Sequence, residues 1–251
     1  MRALYWKEIR SFLGSIVGYI FIIIFLISSG IFHWVVSQDT NLLQGEEVDL
    51  IPFFNLSPII FLILIPAITM RMIAEERKNG TIELLFTRPI TDLQIILAKY
   101  LAGVTLLIIA LLPTLVYYYS MVSLGVEAVD EDGLAISVID EGATFTSYIG
   151  LLLLGSVFIA IGVFASAITS NQIVAFILAM FLCWFFYDGF EMLGSFNLMG
   201  DYDFIFQFVG LTSHYRSIMK GVIDTSDIIY FFGMIAIFLT ASLTVVKSLK
   251  R

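Results

Sequence analysis

The sequence predicts an all-α polytopic membrane protein: one transmembrane domain, 1–251, of six spanning helices with an N-terminal interfacial helix and a short cytoplasmic helix. Three observations predict it. Of 251 residues, 59% are hydrophobic and only 14% charged, where a soluble domain carries about 25% charged residues. Apolar runs close to the roughly 20 residues that cross a hydrocarbon core recur along the chain. Lys and Arg collect on one side of the alternation that those runs define.

The elements follow in order. Residues 2–13 read as an elbow helix lying at the interface. At 3.6 residues per turn, Tyr5, Trp6, Ile9, Phe12 and Leu13 fall on one side, and Lys7, Arg10 and Ser11 on the other. That places aromatic rings at headgroup depth and cations toward cytoplasm and anionic lipid; a frayed basic tail is the plainer alternative. The first span, 16–36, is too long for a signal-peptide core and has no small-residue cleavage site after it, so it is retained. The second, 53–73, contains Pro58 and Pro66. The third, 93–124, exceeds the bilayer and must tilt or emerge from it. The fourth is 148–168, and a four-residue break from Thr169 to Gln172 separates it from the fifth, 173–187. Asp188 and Glu191 then interrupt the apolar run. The stretch 188–209, rich in Phe, Leu and Met but carrying Asp201 and Asp203, reads as a re-entrant or interfacial segment. The sixth span is 228–246.

Charge fixes the orientation. With the N-terminus inside, 11 of the 13 Lys and Arg residues fall inside and only Arg216 and Lys220 outside. The expected topology is therefore N-in and C-in. Arg71 and Lys99, near cytoplasmic ends, are expected to snorkel to the headgroups.

Several activities are excluded by what the sequence lacks. The net charge of −8 argues against nucleic acid, which needs clustered cations. No ionisable residue lies at the middle of a span, where coupled transporters and voltage sensors place theirs. There is no Ser-centred elbow, no His-Glu-x-x-His pair and no Gly-Lys step, so hydrolysis and a phosphate-cradling loop are both absent. The single cysteine, Cys183, permits no internal disulfide. No catalytic, metal or cofactor-binding residue is assigned, and any ATP hydrolysis belongs to a separate subunit.

The segment from Glu75 to Asp92 is the most informative. Asn79-Gly80 can end the extended second helix in a left-handed cap. Thr81 is placed to N-cap a short helix over 81–87, with Glu83 in its first turn. Pro89 stops that helix, and Thr91 with Gln94 forms a capping box for the third span. Ile82, Leu84, Leu85 and Phe86 are more apolar surface than a solvated loop carries. Either they dip into the headgroup layer or they dock on a partner.

Glu76, Gly80, Thr81, Glu83, Leu84 and Leu85, followed by Pro89 and Lys99, resemble the type-two ABC export permeases. More narrowly they are similar to the gliding-motility and nitrous-oxide-reductase-maturation branch. Lys7-Glu8, Ser11-Phe12 and Tyr19, the turn Thr169-Ser170-Asn171-Gln172, and the run from His214 to Asp224 before the last span extend the resemblance nearly end to end. Members often carry a proline soon after the elbow helix; here Gly14-Ser15-Ile16-Val17-Gly18 has none. The resemblance implies a half-transporter of the bacterial inner membrane that pairs with a second permease subunit in the lipid. An ABC ATPase would dock through Glu76, Gly80, Thr81, Ile82, Glu83, Leu84, Leu85, Phe86 and Arg88. Pro58, Pro66 and Pro113 become candidate flexure points, Gly14-x-x-x-Gly18 a possible close approach between subunits, and Asp188, Glu191 and Phe196 a candidate outer gate. A non-transporting membrane scaffold and a secondary transporter are the alternatives; a co-purifying, stimulated ATPase separates them from the first reading.

Overall fold

The computed structural model describes residues 1–36, 50–124, 128–129, 135–136, 140–195 and 208–250. The elbow helix α1 (Arg2–Leu13) turns at Gly14 into α2 (Ile16–Trp34). Helix α3 (Ile51–Thr69) runs through a short break into α4 (Ala74–Lys78), and α5 (Ile82–Phe86) follows. Helix α6 (Asp92–Leu111) passes through a 3-10 turn at Leu112–Thr114 into α7 (Leu115–Leu124). After a two-residue antiparallel pairing of Ala128–Val129 with Ala135–Ile136 comes α8 (Glu141–Ile168). Helix α9 (Gln172–Trp184) continues through a π turn, Phe185–Gly189, into α10 (Phe190–Ser195). Helices α11 (Leu211–Met219) and α12 (Thr225–Ser248) complete the chain. Among the described residues six helical stretches are long and apolar enough to cross a membrane, so the chain is a multi-pass membrane protein of all-α class.

Helix α8 is the hub. Of its most apolar window 78% is buried, against 28% for the first and fifth spans, and it touches α3, α6, α9, α11 and α12. Small residues make this possible, because without a hydrophobic drive between helices in lipid, close backbone approach supplies the packing. A Cβ on Gly155 would stand 2.5 Å from a Leu107 methyl, and one on Gly162 2.0 Å from Thr69 Oγ1. Thr69 cannot simply swing aside, since its hydroxyl donates to the Ile65 carbonyl at 2.9 Å. Gly162→Ala is therefore expected to destabilise the detergent-solubilised protein by about 1–3 kcal/mol, the usual cost of overpacking. A thermal-melt comparison with wild type checks this; unchanged melting would mean that the two spans separate freely here.

The three prolines proposed as flexure points sit in different settings. Pro58 and Pro66 both lie inside α3. Pro58 has no N–H to offer the Phe54 carbonyl one turn back, and the Tyr215 hydroxyl of α11 donates to that carbonyl at 2.7 Å. The freed acceptor becomes a fastening point. Pro113 does break its helix, at the 3-10 turn.

The fifth helical stretch also differs from expectation. It continues past 187 to Ser195 through the π turn, so Asp188 and Glu191 belong to its end rather than to a separate segment. Glu191 pairs there through Oε1 with Arg216 of α11, at 2.6 Å. Phe196 and the rest of the expected re-entrant stretch up to 207 lie outside the described residues. The glycines at the elbow serve the chain itself: a Cβ on Gly18 would lie 2.2 Å from the Phe12 carbonyl oxygen, so Gly18 is consumed by the α1–α2 turn rather than offered to another subunit.

Candidate docking site

The site is the end of the bundle where α1, α4, α5 and the start of α6 meet. Local sequence chemistry builds most of it. Gly80 takes a positive φ of 69°, which reverses the chain after α4 and which an L side chain adopts only with strain. Thr91 and Gln94 form the reciprocal capping box that starts α6, each bond 3.3 Å long. Thr81 does not cap α5 as expected: its backbone is already helical, and its hydroxyl donates back to the Glu76 carbonyl at 3.4 Å. The hydroxyl thus ties α5 to α4 across the glycine turn.

Helix α5 has two faces. Leu85 and Phe86, with Ile90 beyond, pack on Leu4 of α1 and on Ile95 and Ala98 of α6, and Ile82 leans on the main core. Glu83, Thr87 and Arg88 point away, and between them stands Leu84, 65% exposed. A groove of about 420 Å³ runs alongside, lined by Met1, Leu4, Leu84, Leu85, Arg88 and Ile90. From the C-terminal end, the Lys250 ammonium sits 4.7 Å over the Phe86 ring and pairs with Asp92.

Beneath the helix lies a cluster of four charges. Lys99 of α6 is 1% exposed, with its ammonium 3.2 Å from Glu8 of α1 and 3.0 Å from Glu76 of α4. Lys7 closes the ring at 3.3 Å to Glu8 and 3.1 Å to Glu76. Burial works against the charge on Lys7, but the Glu8 and Glu76 carboxylates more than offset it and hold the ammonium above its ordinary value. Two cations and two anions balance, which is the condition for keeping charge at a membrane boundary. Lys99 therefore does not snorkel; it is an internal brace joining three helices. Arg71 also stays within the chain, donating to the Ser15 hydroxyl at 2.9 Å and lying 5.6 Å over the Phe12 ring.

Of the nine residues expected to dock, Gly80, Thr81, Glu83, Leu84 and Arg88 are exposed, while Ile82, Leu85 and Phe86 mostly hold α5 down. Glu76 is engaged in the charge cluster. Glu8, Lys99 and Lys250 were missed as parts of this site. A signal for the first two was present: Leu4, Glu8 and Phe12 recur at i, i+4, as do Ile95 and Lys99, so both charges lie on apolar stripes.

The far end of the bundle carries a second polar group. Buried His214 of α11 lies between Asp227 of α12, 2.6 Å from Nδ1, and the Phe208 carbonyl, 2.9 Å from Nε2. Its ring stacks on Tyr230 at 4.0 Å between centroids. It fastens α11 in place. Among the described residues no group of His, Cys, Asp and Glu is gathered to hold a metal. This end of the bundle presents an apolar side chain, Leu84, on a charge-braced platform.

No curated protein matches the chain. A family model described as ABC-2 family transporter protein matches residues 2–248, and the chain accordingly belongs to the ABC-2 family of transporter proteins.

Proposed function

We propose that this ABC-2 permease subunit works as an exporter of the bacterial inner membrane, driven by a separate ABC ATPase that seats on α5. Family membership makes it the membrane component and implies the ATPase. The observation that carries the seat is Leu84, a large apolar side chain left standing on a helix whose other apolar residues are already packed. A helix that merely dipped into headgroups would have no need of a four-charge brace and a C-terminal clamp beneath it. ATP-driven motion of the partner would push on α5 and, through Glu76 and Lys99, move α1, α4 and α6 together. A second permease subunit would complete the pathway, with the exposed apolar flanks of the first and fifth spans facing it or lipid. The resemblance to the gliding-motility and nitrous-oxide-reductase-maturation permeases supports export as the direction.

This reading requires α5 to be cytoplasmic. In a Cys183→Ala background, Lys220→Cys is expected to label with an impermeant maleimide in intact cells. Lys78→Cys and Ser170→Cys, both exposed at the opposite end, should label only after lysis. Labelling of Lys78→Cys from outside would place α5 on the wrong side for an ATPase and end the proposal.

A further inference from the structure

The second span is interrupted just before it reaches the docking site, and one side chain from another helix fills the interruption. In an unbroken helix Ala74 N–H would donate to the Met70 carbonyl and Ile73 N–H to that of Thr69. Neither bond forms. Instead Ile73 N–H and Ala74 N–H both donate to the hydroxyl of Ser166, at 2.9 and 3.0 Å, and that hydroxyl donates in turn to the Met70 carbonyl at 2.9 Å. Thr69 keeps a partner by accepting from Met72 N–H at 3.0 Å, a tighter turn. Ser166 is fully buried and belongs to α8, the hub of the bundle. Its oxygen is inserted into the helical ladder between Ala74 and Met70, one of the few physical causes of a sharp helix bend.

The surroundings favour a hinge here. One turn earlier Pro66 has already removed an N–H from the ladder. Beyond the break, α4 is held in place by polar contacts: the Arg77 guanidinium donates to the Ala167 carbonyl at the end of α8, and Glu76 joins the charge cluster. Straightening α3 into α4 would restore the direct Ala74–Met70 bond and free Ser166 from it. Bent and straight forms thus satisfy the same backbone groups with different partners, as a two-state element requires.

We propose that Ser166 is the positioning residue of a two-state hinge in the second span, its hydroxyl replacing the Ala74–Met70 hydrogen bond in the bent state so that movement of the docking helix reaches the bundle as a bend rather than as unfolding. The hinge is a property of the permease; only its role in coupling rests on the proposed function.

The test measures the bend directly, without any ATPase. Spin labels at Lys78→Cys and Ser170→Cys in a Cys183→Ala background report the distance between α4 and the end of α8 in lipid nanodiscs. In the bent state Arg77 holds these segments together, so the short-distance population is the bent one. Ser166→Ala leaves two buried N–H groups and a carbonyl without partners when bent, and the ratio of short to long distances should fall about tenfold or more. Ala74→Pro removes one of those N–H groups and obstructs the straight helix at Met70; added to Ser166→Ala, it should bring the short-distance population back. An unchanged distribution in Ser166→Ala, or failure of Ala74→Pro to restore it, overturns the hinge. Should Ser166→Ala not fold, Ala74→Pro alone must narrow the distribution onto short distances, and a wild-type distribution overturns the proposal. Binding of an ATPase to wild type is scored separately and bears on the proposed function alone.

Discussion

Leu84→Asp is expected to release the ATPase from the permease while leaving the permease folded. Leu84 is 65% exposed on α5 and makes little of the chain's own packing, so a carboxylate there costs the isolated subunit almost nothing. In a partner's groove the same change removes an apolar anchor and adds an unpaired charge. Losing a central anchor costs about 2 kcal/mol or more, which is about thirty-fold in affinity. Co-purification of the ATPase should fall accordingly and transport should stop, with the thermal melt unchanged. Leu85→Asp provides the contrast. Leu85 packs against Leu4, Ile95 and Ala98, so its replacement should lower the melting temperature as well as weaken docking. A Leu84→Asp permease that still holds its ATPase at wild-type stoichiometry would return α5 to the headgroup layer.

Lys99→Met should destabilise the protein strongly, by about 3–5 kcal/mol, the usual consequence of removing one partner from a buried ion pair. The substitution leaves Glu8 and Glu76 facing each other with only the half-exposed Lys7 between them. The effect should be non-additive. Glu8→Gln in the Lys99→Met background removes one of the stranded charges, so the double variant should melt higher than Lys99→Met alone. Coupling in such a cycle between touching residues runs to about 0.5–3 kcal/mol. Strict additivity would mean that water, rather than Lys99, neutralises the carboxylates. Surviving protein should also show a looser α1, measured as faster amide exchange of the elbow helix, because the Glu8–Lys99 pair ties it to α6 alongside the Tyr5–Thr105 hydrogen bond.

The class, the six apolar runs and the local punctuation around α5 were legible in the chain alone. Those features depend on neighbours in the chain: run length against bilayer thickness, a glycine with positive φ at position 80, and a capping box whose two members lie three residues apart. Resemblance across Glu76, Gly80, Thr81 and Leu84 likewise pointed to the family that the full-length match shows. Tertiary structure decided what each polar residue does once it is inside. Lys99 looked like a snorkelling cation because its span ends nearby, yet its nearest opposite charges are 91 positions away at Glu8 and 23 at Glu76. Pro58 frees the Phe54 carbonyl, and the group that fills it is the hydroxyl of Tyr215, 161 residues after Phe54. Ser166 gave no local sign at all, since a serine in a membrane helix commonly bonds its own preceding turn. It acts instead on the backbone of a helix more than 90 residues earlier. In lipid no water is available to satisfy a stray polar group, so each must find a partner within the protein. Which partner it finds depends on which helices the small residues of α8 bring together.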